Sequence, residues 1–161
     1  MSFELRPLGK QTGRTTGMTL LELVMACMIL MVLASAALPV ARITIKRQKE
    51  TELRRALREM RTAIDRYKDA ADRNLIRVEV GSEGYPPDLE TLVNGVKIGA
   101  ADRHVRFLRR IPIDPMTGRT DWGLRAIQDE PTSTSWGGKN VFDVYTRSQG
   151  IALDGTRYAD W

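Results

Sequence analysis

The chain has 161 residues, 42% of them hydrophobic and 28% charged, with a formal net charge of +5. That length suits one domain plus an anchor rather than a multidomain protein. One cysteine, Cys27, makes no internal disulfide, and one histidine, His104, flanked by Arg103 and Arg106, lacks the partners a zinc or triad site needs.

Residues 1–17 form a short basic leader, with Arg6, Lys10 and Arg14 against Glu4. An apolar run begins at Met18, and the 19 residues from Leu23 to Ala41 carry no charge. At about 1.5 Å per residue they cover roughly 28 Å as a helix, close to a bilayer's hydrocarbon core. Glu22 stands at the mouth of this run, where a carboxylate costs up to a few kcal/mol. Ala34-Ser35-Ala36 offers ordinary signal-peptide cleavage after Ala36 as a competing reading. The apolar stretch is long for a signal peptide, and the helical pattern continues in phase through that site. The charge rule for membrane orientation points the other way round from a cytoplasmic leader. Arg42, Lys46, Arg47 and Lys49 follow the run more densely than cations precede it.

Leu53, Leu57, Met60, Ile64, Tyr67 and Ala71 recur at spacings of 4 and 3, one apolar stripe of an amphipathic helix. With no glycine or proline between Pro39 and Gly81, the apolar run and the stripe read as one helix, about 18–75, broken only near Pro39. A heptad coiled coil also fits the spacing, but it would persist for under three heptads. Eleven Lys/Arg against six Asp/Glu between Arg42 and Arg73 account for the whole net charge. Such a stretch reads as a solvated helix face, with nucleic acid or anionic lipid as alternative partners.

Turn residues Gly81 to Gly84 end this region. Pro86, Asp88, Glu90 and the apolar positions 89, 92 and 93 predict a short helix. The prolines of Phe107-Leu108-Arg109-Arg110-Ile111-Pro112-Ile113-Asp114-Pro115-Met116-Thr117-Gly118 exclude a helix or central strand and predict an extended loop with a turn at 114–118. Strands are expected at Trp122–Ile127 and Val141–Thr146, with a third near Ile151–Leu153. Asp154-Gly155 reads as a type I′ turn. The expected fold is α+β: a long N-terminal helix, half apolar and half amphipathic, packed on a head with a small antiparallel sheet.

Gly17-Met18-Thr19-Leu20-Leu21-Glu22-Leu23 resembles the prepilin signature of type IV pilins and type II secretion pseudopilins. The resemblance implies that a membrane-embedded aspartyl peptidase cuts after Gly17 and N-methylates Met18, a position where many members carry phenylalanine. It makes Glu22 the fifth residue after the cut, the family's assembly glutamate. Pro39 likewise stands where many members have a helix-breaking proline. The Tyr85-Pro86 segment, the 107–118 segment and Trp122 resemble the major pseudopilins, which form the core of the type II secretion pseudopilus. The stretch from Ser148 to Trp161 resembles that group's closing segment, which often surrounds a calcium ion. Ser148, Asp154 and Asp160 are the implied ligands, but Arg157 intrudes where members are richer in acids and glycine. Calcium takes six to eight oxygens, so two carboxylates alone make a poor site.

The resemblance thus implies a leader at 1–17, a membrane-spanning and filament-core helix at 18–41, an amphipathic helix at 42–75 and a head at 76–161. It implies a type IV pilin-like structural subunit and no enzyme, since no nucleotide loop or nucleophile–base pair is present. The implied partners are copies of itself, minor pseudopilins, the prepilin peptidase, and an inner-membrane platform with its cytoplasmic ATPase. The implied place is the bacterial inner membrane, head in the periplasm. Two rivals are a surface type IV pilus subunit, disfavoured by the lack of a disulfide loop, and a membrane-anchored nucleic-acid-binding protein using residues 42–73.

Overall fold

The computed structural model describes residues 17–99 and 103–161, with residues 36–40 and 103 described by backbone alone. The chain divides into two compact units, 1–42 and 43–161. Helix α1, Leu20–Asp72, contributes to both. The leader reading falls on residues 1–16, outside the described residues.

In the first unit, α1 begins with Thr19 as its N-cap. The Thr19 hydroxyl accepts from the Glu22 amide (3.2 Å), and the Thr19 carbonyl accepts from the Leu23 amide (3.0 Å). The helix is apolar on all sides and exposed: Leu21, Leu23, Val24, Met28, Ile29 and Leu33 are each about half exposed or more. A helix of that kind is stable only where something apolar surrounds it. Among the described residues no helix is long and apolar enough to cross a membrane. Of the uncharged run from Leu23 to Ala41, residues 36–40 lie outside the set with described side chains. The helix continues through residue 39, so the break expected near Pro39 is absent. Proline fixes a helix-compatible φ and removes one hydrogen bond, which loosens a turn without ending it.

In the second unit all six stripe residues are buried. Leu53, Met60 and Ile64 are fully enclosed, joined by Leu92, Trp122, Val141, Val144 and Tyr158 from the rest of the unit. Each such aliphatic side chain contributes about 1.5–3 kcal/mol relative to exposure. Helix α1 ends earlier than position 75. Asn74 takes a left-handed φ of +55°, its amide reaches the Ala71 carbonyl, and the Leu75 amide reaches that of Ala70. This paired closure is a Schellman motif with asparagine in the place glycine usually holds.

Helix α2, Leu89–Asn94, is capped by Asp88, whose Oδ1 accepts from the Thr91 amide (2.7 Å). It stops at Gly95, φ +84°, where a Cβ would lie 2.7 Å from the Val105 carbonyl oxygen. An antiparallel hairpin absent from the sequence expectations follows: β1 (Val96–Ile98) with β2 (Arg103–Val105). The 107–118 segment has no strand or helix. Its turn is organised by fully buried Asp114, whose carboxylate accepts from the Met116 amide and the Thr146 hydroxyl. The Gly118 amide closes onto the Asp114 carbonyl (2.8 Å), and the Trp122 indole donates to the Pro112 carbonyl (2.9 Å). Strands β3 (Gly123–Arg125) and β4 (Asp143–Tyr145) pair antiparallel as a second two-stranded sheet. Gly123 is required there, because the Tyr145 ring lies where its Cβ would be. The expected third strand is reduced to one bridge, Ile151 with Arg157. The unit is α+β, but its strands form two separate hairpins rather than one sheet.

Candidate functional site

Gly17 and Met18 precede α1 and are exposed. A Cβ at Gly17 would meet nothing within 4 Å, and its φ lies outside the left-handed region. No packing or backbone requirement among the described residues accounts for glycine here, unlike at Gly95 or Gly123. Glu22 is exposed and lies in the first turn of α1, its backbone amide donating to the Thr19 hydroxyl. Its charge also favours the positive end of the helix dipole by roughly 0.3–1 kcal/mol. The Thr19-x-x-Glu22 spacing carried this signal in the sequence, beside the membrane cost and the assembly role expected of Glu22. Thus a local structural use for Glu22 stands beside any role in assembly.

The segment 148–161 forms a hook that folds onto α1. Its tip is a tight turn in which the Gly155 amide reaches the Ala152 carbonyl (3.2 Å) and the Ala152 amide reaches the Thr156 carbonyl (2.8 Å). Gly155 has φ +87°, whereas Asp154 does not have a positive φ. The turn is therefore not type I′, which needs positive φ at both central residues, but a type I turn closed by a left-handed glycine. The hook ends in a 3-10 turn, Tyr158–Asp160.

The three proposed calcium ligands do not converge as a cage. The Ser148 hydroxyl accepts from the Gly150 amide. The Asp154 carboxylate accepts from the Thr156 amide and hydroxyl (2.9 and 2.6 Å) and faces Arg54 at 3.5 Å. Those Thr156 hydrogen bonds, with Arg54 adding to them, hold the Asp154 carboxyl below its usual range. Both Asp160 oxygens accept from Arg157 (3.0 and 3.1 Å). Among the described residues no group of three His, Cys, Asp or Glu is placed to hold a metal ion. Guanidinium groups stand where a cation would, so this donor set does not fit calcium.

What holds the hook is one edge of α1. Glu50, Arg54 and Arg61 are spaced by 4 and 7, so they share a helix face beside the apolar stripe. Glu50 Oε1 accepts from the Leu153 amide and the Tyr158 hydroxyl, both at 2.9 Å. The Arg54 guanidinium lies 4.1 Å over the Trp161 ring, whose indole donates to the Thr156 hydroxyl (2.7 Å). Arg61 donates to the Trp161 main-chain oxygen (2.7 Å) and grips the Asp143 carboxylate. None of these pairings was read from the sequence. Partners separated by 82 to 108 positions leave no local periodicity to find.

Tyr158 is buried, and burial first, with Glu50 second, pushes its phenol up from the usual 10 to about 12. The fold holds the protonated phenol. An unfolded chain releases that proton near pH 10 and the folded chain near 12. The contribution is thus complete below pH 10 and declines as pH rises to 12, by about 2–3 kcal/mol in all. Urea unfolding across this window should lose stability more steeply in the wild type than in Tyr158→Phe. Parallel curves would refute the assignment.

No family model matches this chain, and no curated protein or solved structure matches it either.

Proposed function

We propose that the chain is a structural subunit of a pseudopilus-type filament of type II secretion, type IV pilin-like in fold. It is made as an inner-membrane precursor with its leader in the cytoplasm and its head in the periplasm. Prepilin peptidase hydrolyses the Gly17–Met18 amide and methylates the amine it frees. The apolar helix 18–41 then leaves the membrane for the filament core, where apolar neighbours cover its whole circumference. Minor pseudopilins, a membrane platform and its cytoplasmic ATPase supply initiation and work. The observation that carries the reading is the junction at Gly17: a glycine the fold does not require, directly before a capped helix exposed and apolar on all sides. A protease subsite explains such a glycine; packing does not.

The test is the mass of the mature N-terminus. The expected species begins at N-methyl-Met18. A chain retaining Met1, or one beginning at Ala37, overturns the reading. Gly17→Ile in the same measurement should leave the precursor uncut.

A further inference from the structure

Helix α1 and the extended segment 107–113 enclose two grooves, of about 840 and 430 Å³, that share Arg55, Glu59 and Arg109 as walls. Arg58 and Arg66 line the smaller groove and Arg110 the larger. Among the described residues none of these five arginines forms an ion pair, whereas those on the hook side of α1, Arg54 and Arg61, are both engaged. The floor is apolar, including Ala63, Leu108, Ile111 and Ile113. Each guanidinium presents a planar set of donors matched to a carboxylate.

The walls also restrict the occupant. Glu52 and Glu59 stand among the arginines. A phosphate backbone threading the grooves would pass both carboxylates. A polypeptide with spaced acids and an apolar side chain between them can bypass both while meeting the arginines and the floor.

This chain carries such a segment. Residues 79–90 hold Glu79, Glu83, Asp88 and Glu90 with no lysine or arginine. Asp88 is occupied as the α2 cap, but Glu79, Glu83 and Glu90 are exposed and form no ion pair, and Val80 beside them is fully exposed. The turn is built rather than loose. Buried Ser82 donates to the Glu79 carbonyl (2.9 Å), the Tyr85 amide donates to the Ser82 carbonyl (3.0 Å), and Glu83 is held at φ +54° between Gly81 and Gly84. Rigid presentation of the acids lowers the ordering cost of a contact.

We infer that the arginine-lined groove receives the acidic 79–90 turn of a second copy of this chain. Groove and turn share no residue, so the contact can repeat head to tail from copy to copy, the form a filament requires. The inference rests on the filament reading and adds the head-to-head contact that reading lacks.

The test uses charge exchange in the full chain processed to Met18. Arg58→Glu with Arg109→Glu exchanges two of the groove's cations for anions, and Glu79→Arg with Glu83→Arg exchanges two of the turn's anions for cations. Each pair alone should lower the sedimenting, assembled fraction about tenfold, equivalent to about 1.4 kcal/mol. All four together should restore it. Melting followed by tryptophan fluorescence should shift little, since among the described residues these side chains form no ion pair and only Glu83 acts on a cation, Lys68, from a distance. Reversals that assemble like the wild type, or a fourfold variant that does not recover, overturn this contact and leave the filament reading standing. A wild-type chain that stays monomeric overturns both.

Discussion

Asp143→Ala should destabilise the 43–161 unit by about 3 kcal/mol, the lower end of the range for breaking a buried ion pair. The Asp143 carboxylate serves two arginines. Arg61 reaches it through Nε at 2.6 Å and Nη2 at 3.2 Å, and Arg125 stands 3.6 Å away. The Arg125 side chain is only 8% exposed and stacks 4.1 Å over the Tyr145 ring. Its remaining donors go to the main-chain oxygens of Ser133 and Ala159. Without Asp143 that charge stays buried with carbonyl dipoles alone to compensate it. Arg61 is more exposed and recovers part of its loss from water, which keeps the effect at the lower end. Asp143→Asn retains one acceptor and should lose less. Urea unfolding read by Trp122, itself 3% exposed, measures both. A loss under about 1 kcal/mol for the alanine variant would show that the two arginines are already satisfied without the carboxylate.

The same network ties the two ends of the head together. Arg61 joins α1 to β4 and to Trp161, while Arg125 joins β3 to the 133–135 loop and Ala159. The hook therefore depends on side-chain grip from α1 and β3, with Glu50 and Arg54 holding its other edge. That arrangement places protein cations where the family resemblance implied a metal. It predicts a hook that keeps its shape without calcium, and chelator should leave the Trp161 environment unchanged.

The apolar stripe of α1 was legible because its period is local: six positions at helical spacing, all buried. The turn at 114–118 was legible because proline forbids the alternatives. The first hairpin was not, since three-residue strands such as Val96–Ile98 and Arg103–Val105 are too short to show alternation. The end of α1 was placed late because Asn74, rather than the glycines after it, adopts the left-handed cap. Of the candidate site, the Gly17–Glu22 junction was legible as a motif. The helix start, Thr19 as N-cap with an acid in the first turn, was equally present in the spacing, yet it is masked when Glu22 is judged by membrane cost alone. The calcium reading rests on acids whose folded partners lie partly outside their own segment. Acids near a glycine turn say nothing of the arginines folded against them, here Arg157 from three residues away and Arg54 from a hundred.

These two uses of Glu22 can be separated by one substitution. Glutamine serves the third position of a capping box as glutamate does, but it carries no charge. Glu22→Gln should therefore preserve the start of α1 at Leu20 and cleavage at Gly17, while abolishing assembly. The reason lies in what cleavage creates. On the proposed filament reading, the amine freed at Met18 is a cation in an apolar core, where an unpaired charge costs several kcal/mol. In a staggered bundle, Glu22 of a neighbouring copy supplies its partner, and no such partner exists for the uncut chain. The pair fixes register more than it adds stability, because desolvation consumes most of the attraction. Glu22→Ala keeps the backbone amide that donates to the Thr19 hydroxyl, so it should show the same assembly defect with α1 still starting at Leu20. Mass spectrometry reports processing and sedimentation reports assembly. If Glu22→Gln assembles as the wild type does, the carboxylate does not set register, which must be set elsewhere along the chain.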